Sequence, residues 1–199
     1  MVTTVDLMRH GEPVGGSKYR GQVDDPLSDK GWAQMRAAVA DHCPWQAVVS
    51  SPLRRCAAFA AELAQRHALP LSLEERFKEI GFGVWEGRTK AEITAQNPDA
   101  LERFYADPVR HRPPRAEPLS EFQQRIVAAW WDLLQAHAGG QVLLVAHAGV
   151  IRMLLSHVLA APPERMFRIQ VPNAAISRIR VDGEGREAAA HLLFHAGCL

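Results

Sequence analysis

The stretch VLLVAHAGVIRMLLSHVLAA, residues 142–161, constrains the fold more than any other part of the chain. It is long and apolar enough to raise the question of a membrane span. Arg152 argues against one: at mid-stretch it would cost roughly 2.5–3.5 kcal/mol, and His147 and His157 flank it. A buried strand, a turn and a helix take the same residues at no such cost. The expectation is therefore a layered fold whose central strands are covered on both faces.

Other segments read in the same way. Strand-like runs occur at 3–9, 47–51, 69–73, 141–147, 167–171, 175–181 and 190–196. Those at 5–8 and 142–146 are nearly continuous apolar runs. Helices alternate with them. One begins after Ser28 as cap and repeats Trp32, Met35 and Val39 on one face. An Ala-rich helix spans 54–67. TKAE (89–92) and SEFQ (120–123) match the capping-box pattern. After the second, Phe122, Ile126, Trp130, Leu133 and Leu134 form an apolar stripe. A last apolar helix covers 150–160. The pattern predicts an α/β three-layer sandwich: a mainly parallel central sheet flanked by helices.

A length of 199 residues suits a single domain over 1–199, and the Pro- and Arg-rich stretch within 88–118 reads as a helical insertion or lid over the strand ends. Lys and Arg number 23 against 22 Asp and Glu, a net charge of +1. That balance gives no reason to expect nucleic acid or a membrane as partner. Cys43, Cys56 and Cys198 form no CxxC pair, and MVTTVDLMRH has no basic segment leading into an apolar one. Reduced thiols in a cytoplasmic protein, monomeric or homodimeric, are the expectation.

Ligand sites in such sheets collect at the carboxyl ends of strands. Four segments deliver reactive side chains there: Arg9 and His10 in LMRHGE, Arg54 and Arg55 in SSPLRR, His147 in VAHAG, and Glu79 in ERFKEIGFGVWEG. If the strands are parallel neighbours, two imidazoles, guanidiniums and a carboxyl converge. Asp24 and Asp25 read as shaping a turn before the Ser28 helix rather than as a metal pair. HExxH and P-C-x-x-C are both absent, so no metal site and no cofactor is expected.

Four blocks in order, LMRHGE, SSPLRRCAAFA, EIGFGVWEG and VAHAGVIR, resemble the histidine phosphatase superfamily with its phosphoglycerate-mutase-like fold. YRGQVDDPLSDKGWAQ and NAAISRI are further similar to its small bacterial α-ribazole-phosphate phosphatases. The resemblance implies a metal-independent phosphomonoester hydrolase acting on a small-molecule phosphate ester. His10 would attack phosphorus through a neutral ring nitrogen, its other nitrogen held by an acceptor such as a backbone carbonyl. Arg9 and Arg55 would grip the phosphate oxygens, with His147 as a third donor. Glu79 would protonate the leaving oxygen and then deprotonate water. Gly11 would let the chain turn close beside the phosphate. Gly21, Gln22, Ala148 and Asn173 are implied as further phosphate or substrate contacts. Arg54, about 100° around its helix from Arg55, would face solvent.

Departures from the family pattern include Pro13 in place of a hydroxyl residue and Ala148 in place of glycine. In RAEPLS, Glu117 alone matches. Substrate contacts by Glu117, Arg110, Arg112 and Arg115 stay open at this point. So does the substrate, with α-ribazole 5′-phosphate of cobalamin biosynthesis the leading candidate. A phosphoglycerate mutase-type phosphotransferase and a non-catalytic phospho-ligand binder are the alternatives.

Overall fold

The computed structural model describes residues 1–185 and 188–197. Along the chain come β1 (Val2–Arg9), α1 (Asp29–Val39), β2 (Ala47–Ser50), α2 (Arg54–His67) and β3 (Leu71–Leu73). Then follow α3 (Lys90–Gln96), α4 (Ala100–Ala106), α5 (Leu119–Ala136), β4 (Gln141–Ala146), α6 (Ala148–Val158), β5 (Ile176–Asp182) and β6 (Ala189–Gly197). The strands form one sheet in the order β3-β2-β4-β1-β5-β6. β3, β2, β4 and β1 run parallel; β5 is antiparallel to β1, and β6 antiparallel to β5. No helix among the described residues is long and apolar enough to cross a membrane.

Strand alternation divides the core into two layers. On β4, Val142, Leu144 and Ala146 face α5 and α6, packing on the Phe122, Ile126 and Trp130 stripe. Leu143 and Val145 face α1 and α2, against Met35, Val39, Phe59 and Leu63. Burying a side chain of this size contributes about 1.5–3 kcal/mol. Trp130, Phe122, Leu143 and Leu144 are fully buried. The 142–161 stretch is thus a central strand covered by both layers, a turn, and a helix that belongs to one of them.

Asp6 is a fully buried carboxylate within β1. Arg178 of β5 holds both its oxygens, at 2.8 and 3.0 Å, and Trp45 Nε1 donates to one of them at 2.7 Å. The pair ties the first strand to the antiparallel edge and satisfies a charge that could not otherwise be buried.

Local signals explain the starts of α1 and α3. Ser28 Oγ accepts from Gly31 N, and Thr89 with Glu92 forms a complete capping box. Two sequence readings are corrected. The SEFQ segment does not cap a helix: α5 starts at Leu119 with Pro118 in the N-cap position and no side-chain cap, so Ser120 lies inside the first turn. The run at 167–171 is no strand. A 3-10 helix spans Pro163–Arg168, and the carbonyls of Ile169, Gln170 and Val171 are taken by Arg152, His195 and Arg9 side chains instead of a neighbouring strand. Cys43 and Cys56 are free thiols; Cys198 lies outside the described residues.

Candidate active site

The register of β1 against β4 builds the centre of the site. Arg9 is paired with Ala146, so the next residue on each strand, His10 and His147, emerges at the same sheet edge. The His10 N–H donates to the Ala146 carbonyl at 3.0 Å, and the two rings meet edge to face with centroids 5.2 Å apart. His10 Nδ1 lies 2.7 Å from the Gly11 carbonyl. A carbonyl only accepts, so Nδ1 carries the proton and Nε2 keeps its lone pair. Burial, then the nearby Arg9 and Arg55 charges, hold the His10 pKa well below the usual imidazole value. The ring is neutral at physiological pH.

His147 is fully buried. Its Nε2 is 2.7 Å from Ser51 Oγ, and Cys56 Sγ lies 3.6 Å from the same nitrogen. Burial, followed by Arg55, His10 and other charges, lowers its pKa well below the usual imidazole value. Contrary to the expected third phosphate donor, it lines no part of the cavity. Its polar edge is engaged by Ser51, and the His10 ring stands in front of it. Burial pushes the Cys56 thiol far up, which keeps it protonated and inert.

Arg9 and Arg55 flank His10. Arg55 comes from the first turn of α2 and is 1% exposed, whereas Arg54 points to solvent. The Arg55 fork is braced on the Gly21 and Val23 carbonyls at 2.8 and 2.7 Å. Arg9 donates to the Val171 carbonyl. Among the described residues the Nε atoms of both have no acceptor. Burial lowers the Arg9 pKa to about 10, so it stays cationic at neutral pH.

Glu79 sits on the loop after β3 and lines the same cavity as His10. Its carboxylate accepts from Ile80 N at 3.0 Å and from Gly149 N, at the start of α6, at 3.1 Å. The neighbouring acids do other things. Glu74 pairs with Arg76, and Glu86 accepts from Gln22 N and Phe82 N. Arg125 of α5 shapes the Glu79 loop: its guanidinium donates to the carbonyls of Arg76, Lys78 and Glu79 and to the Glu117 carboxylate. Glu117 in turn accepts from Gly81 N at 3.1 Å, so it supports the loop and not the ligand.

These residues open onto a cavity of about 360 Å³. Arg9, His10, Gly21, Arg55, Glu79, Ala148 and Gly149 line its floor, and Glu79 is its one carboxylate among the described residues. The walls carry residues the sequence reading did not select: Lys18, Arg20, Lys90 and Arg152, with Tyr19, Phe82, Tyr105 and Phe167. Arg152 could have been found, because it lies in the quoted VAHAGVIR block one turn after Ala148.

Three expected contacts fall elsewhere. Gly11 has no left-handed φ and is not among the residues that line this cavity. A Cβ there would lie 2.2 Å from the Gly31 carbonyl oxygen, so the missing side chain serves the close pass against α1. Gln22 is exposed, with its backbone N–H turned to Glu86. Asn173 is held away in a turn closed by Ala175 N on the Pro172 carbonyl. Arg110 and Arg112 line a separate hollow beside α3 and α4, and Arg115 lines neither.

Comparison with known proteins places the chain in a family. Residues 5–192 match the family model "Histidine phosphatase superfamily (branch 1)". The chain is 33% identical to the glucosyl-3-phosphoglycerate phosphatase of Mycolicibacterium vanbaalenii, over 78% of this chain and 74% of that one. It is 31% identical to the uncharacterized phosphatase PhoE of Bacillus subtilis, over 89% and 88% of the two chains. The α-ribazole phosphatase of Shigella flexneri superposes with a TM-score of 0.81 at 24% identity, covering 98% of this chain and 96% of that one. The chain belongs to the histidine phosphatase superfamily and is a phosphomonoester hydrolase.

Proposed function

We propose that the chain hydrolyses a small-molecule phosphomonoester through a phosphohistidine on His10, without a metal. The carrying observation is the His10 tautomer: with Nδ1–H committed to the Gly11 carbonyl, Nε2 is a neutral nucleophile at the cavity. Attack by its lone pair forms the N–P bond as the ester P–O bond breaks. Glu79 gives its proton to the departing oxygen. Water then attacks phosphorus, Glu79 takes the proton, and the N–P electrons return to Nε2 as inorganic phosphate leaves. Arg9 and Arg55 hold the equatorial oxygens as charge spreads over them. His147, hydrogen-bonded to Ser51, backs the His10 ring. Ala148 and Gly21 lie against the phosphate.

In this reading residues 1–199 act as one domain, α3 and α4 form a lid over the cavity, and the chain works in the cytoplasm as a monomer or homodimer. Substrate size is set by the cavity, and α-ribazole 5′-phosphate is one arm of the screen. The test is release of inorganic phosphate from p-nitrophenyl phosphate and metabolite esters in the presence of a strong chelator. An acid-labile, alkali-stable phosphoenzyme should be trapped on the wild type and be missing from His10→Ala. Turnover retained by His10→Ala, or activity lost to the chelator, overturns the mechanism.

A further inference from the structure

The cavity holds more positive charge than one phosphate needs. A phosphate ester dianion is matched by Arg9 and Arg55. Arg20 is spent within the protein, its Nε on Asp25 at 2.9 Å and another nitrogen on the Val14 carbonyl. Glu79 is the cavity's one carboxylate among the described residues, and it is taken up by the backbone N–H groups of Ile80 and Gly149. Arg152, Lys18 and Lys90 remain on the wall. The two lysines are exposed at the rim. Arg152 is half-buried on α6, and among the described residues its one hydrogen bond runs from Nε to the Ile169 carbonyl at 2.8 Å. Its guanidinium carbon stands 5.9 Å from the centre of the Phe167 ring, which also lines the cavity. Its terminal nitrogens have no protein partner among the described residues, and the side chain lines the cavity, where an anionic group of a ligand can reach them. Nε is already used, so the free edge offers two parallel N–H groups, the arrangement that receives a planar carboxylate bidentately.

We propose that Arg152 is a specificity-determining residue and that the substrate is a phosphorylated organic acid whose carboxylate docks on it. This rests on the phosphatase reading and narrows its substrate class. Lys18 and Lys90 add to the attraction at the mouth. Tyr19, Tyr105 and Phe82 line the same cavity.

The experiment compares pairs that differ at the carboxylate: O-phosphoserine against O-phosphoethanolamine, and 3-phosphoglycerate against glycerol 3-phosphate. α-Ribazole 5′-phosphate serves as an ester with no second anionic group. The wild type should favour each carboxylate partner at least tenfold in kcat/KM, mainly through KM. Arg152→Met should bring both ratios close to one, and Arg152→Lys, which keeps charge but loses the fork, should fall between. The ratio is taken within one preparation, so a misfolded fraction cancels. A wild-type ratio near one, or a ratio that survives in Arg152→Met, overturns the inference. So does turnover of p-nitrophenyl phosphate with none of the four esters accepted. Absence of His10-dependent turnover on every ester, p-nitrophenyl phosphate included, removes the phosphatase reading itself.

Discussion

His10 and His147 meet edge to face at 5.2 Å, both buried and both neutral, because Arg9 and Ala146 are paired across two parallel strands. That relationship makes stability depend on pH. Each ring has a folded pKa below its unfolded value of 6.5, so the unfolded chain binds more protons as pH falls past 6.5. The stabilisation is complete above that value and is lost as pH drops toward the folded pKa values. The slope is about 1.4 kcal/mol per pH unit for each ring. Urea midpoints between pH 6.5 and 5 should fall steeply in the wild type and with a visibly shallower slope in His147→Gln. Equal slopes would show that His147 does not stay neutral in the folded protein.

Glu79→Gln removes the proton carrier and leaves the backbone contacts of one oxygen. Hydrolysis of alkyl phosphates should slow by about 10²–10⁴. p-Nitrophenyl phosphate, whose leaving group departs without a proton, should be affected far less. Equal slowing on both esters argues against Glu79 as the acid.

Arg125 does not line the cavity, yet it holds three carbonyls of the loop that carries Glu79. Arg125→Met should reproduce the leaving-group pattern of Glu79→Gln in weaker form, lowering kcat on alkyl phosphates by about tenfold, since misplacement of an acid weakens it without removing it. Arg125→Lys should recover part of the loss. A uniform loss on every ester would mark Arg125 as merely structural.

Gly11→Ala and Gly31→Ala test the close pass beneath the site. The added Cβ would lie 2.2 Å from the Gly31 oxygen in the first and 2.1 Å from the Glu12 oxygen in the second, both backbone atoms that cannot rotate away. Each should cost about 1–3 kcal/mol by overpacking, seen as a lower melting temperature. An unchanged melting temperature in both would mean the loop has room to move aside.

Arg178→Met would leave the Asp6 carboxylate buried against Trp45 and Gln141 without its cation. Removing one partner of such a pair costs about 3–5 kcal/mol. Denaturant unfolding measures it directly, and a loss within the range of a surface substitution would show that Asp6 is solvated.

Most of the α/β layering was legible in the chain, since apolar period and caps act over a few residues. Ser28 and Thr89 announce their helices, and the Phe122 stripe announces its buried face. The reading failed where distant groups compete for the same backbone. The 167–171 run has strand composition, but Arg9, Arg152 and His195 take its carbonyls. Pro118, not Ser120, occupies the N-cap position of α5. Among the site residues, Arg55 could be told from Arg54 by helical geometry, whereas Gln22 and Asn173 could not be placed, because a turn residue's direction follows from hydrogen bonds made elsewhere.

By itself the sequence determined which residues were available at strand ends and that they included two histidines, two arginines and a glutamate suited to phosphoryl chemistry. Only the tertiary structure decided how they meet. The β1–β4 register set His10 against His147, the Gly11 carbonyl chose which His10 nitrogen is free, and the folding of 163–171 brought Phe167 and the Ile169 carbonyl to Arg152. Side-chain type is a local property, but protonation, tautomer and an unpaired charge are properties of surroundings, and those exist only once the chain has closed on itself.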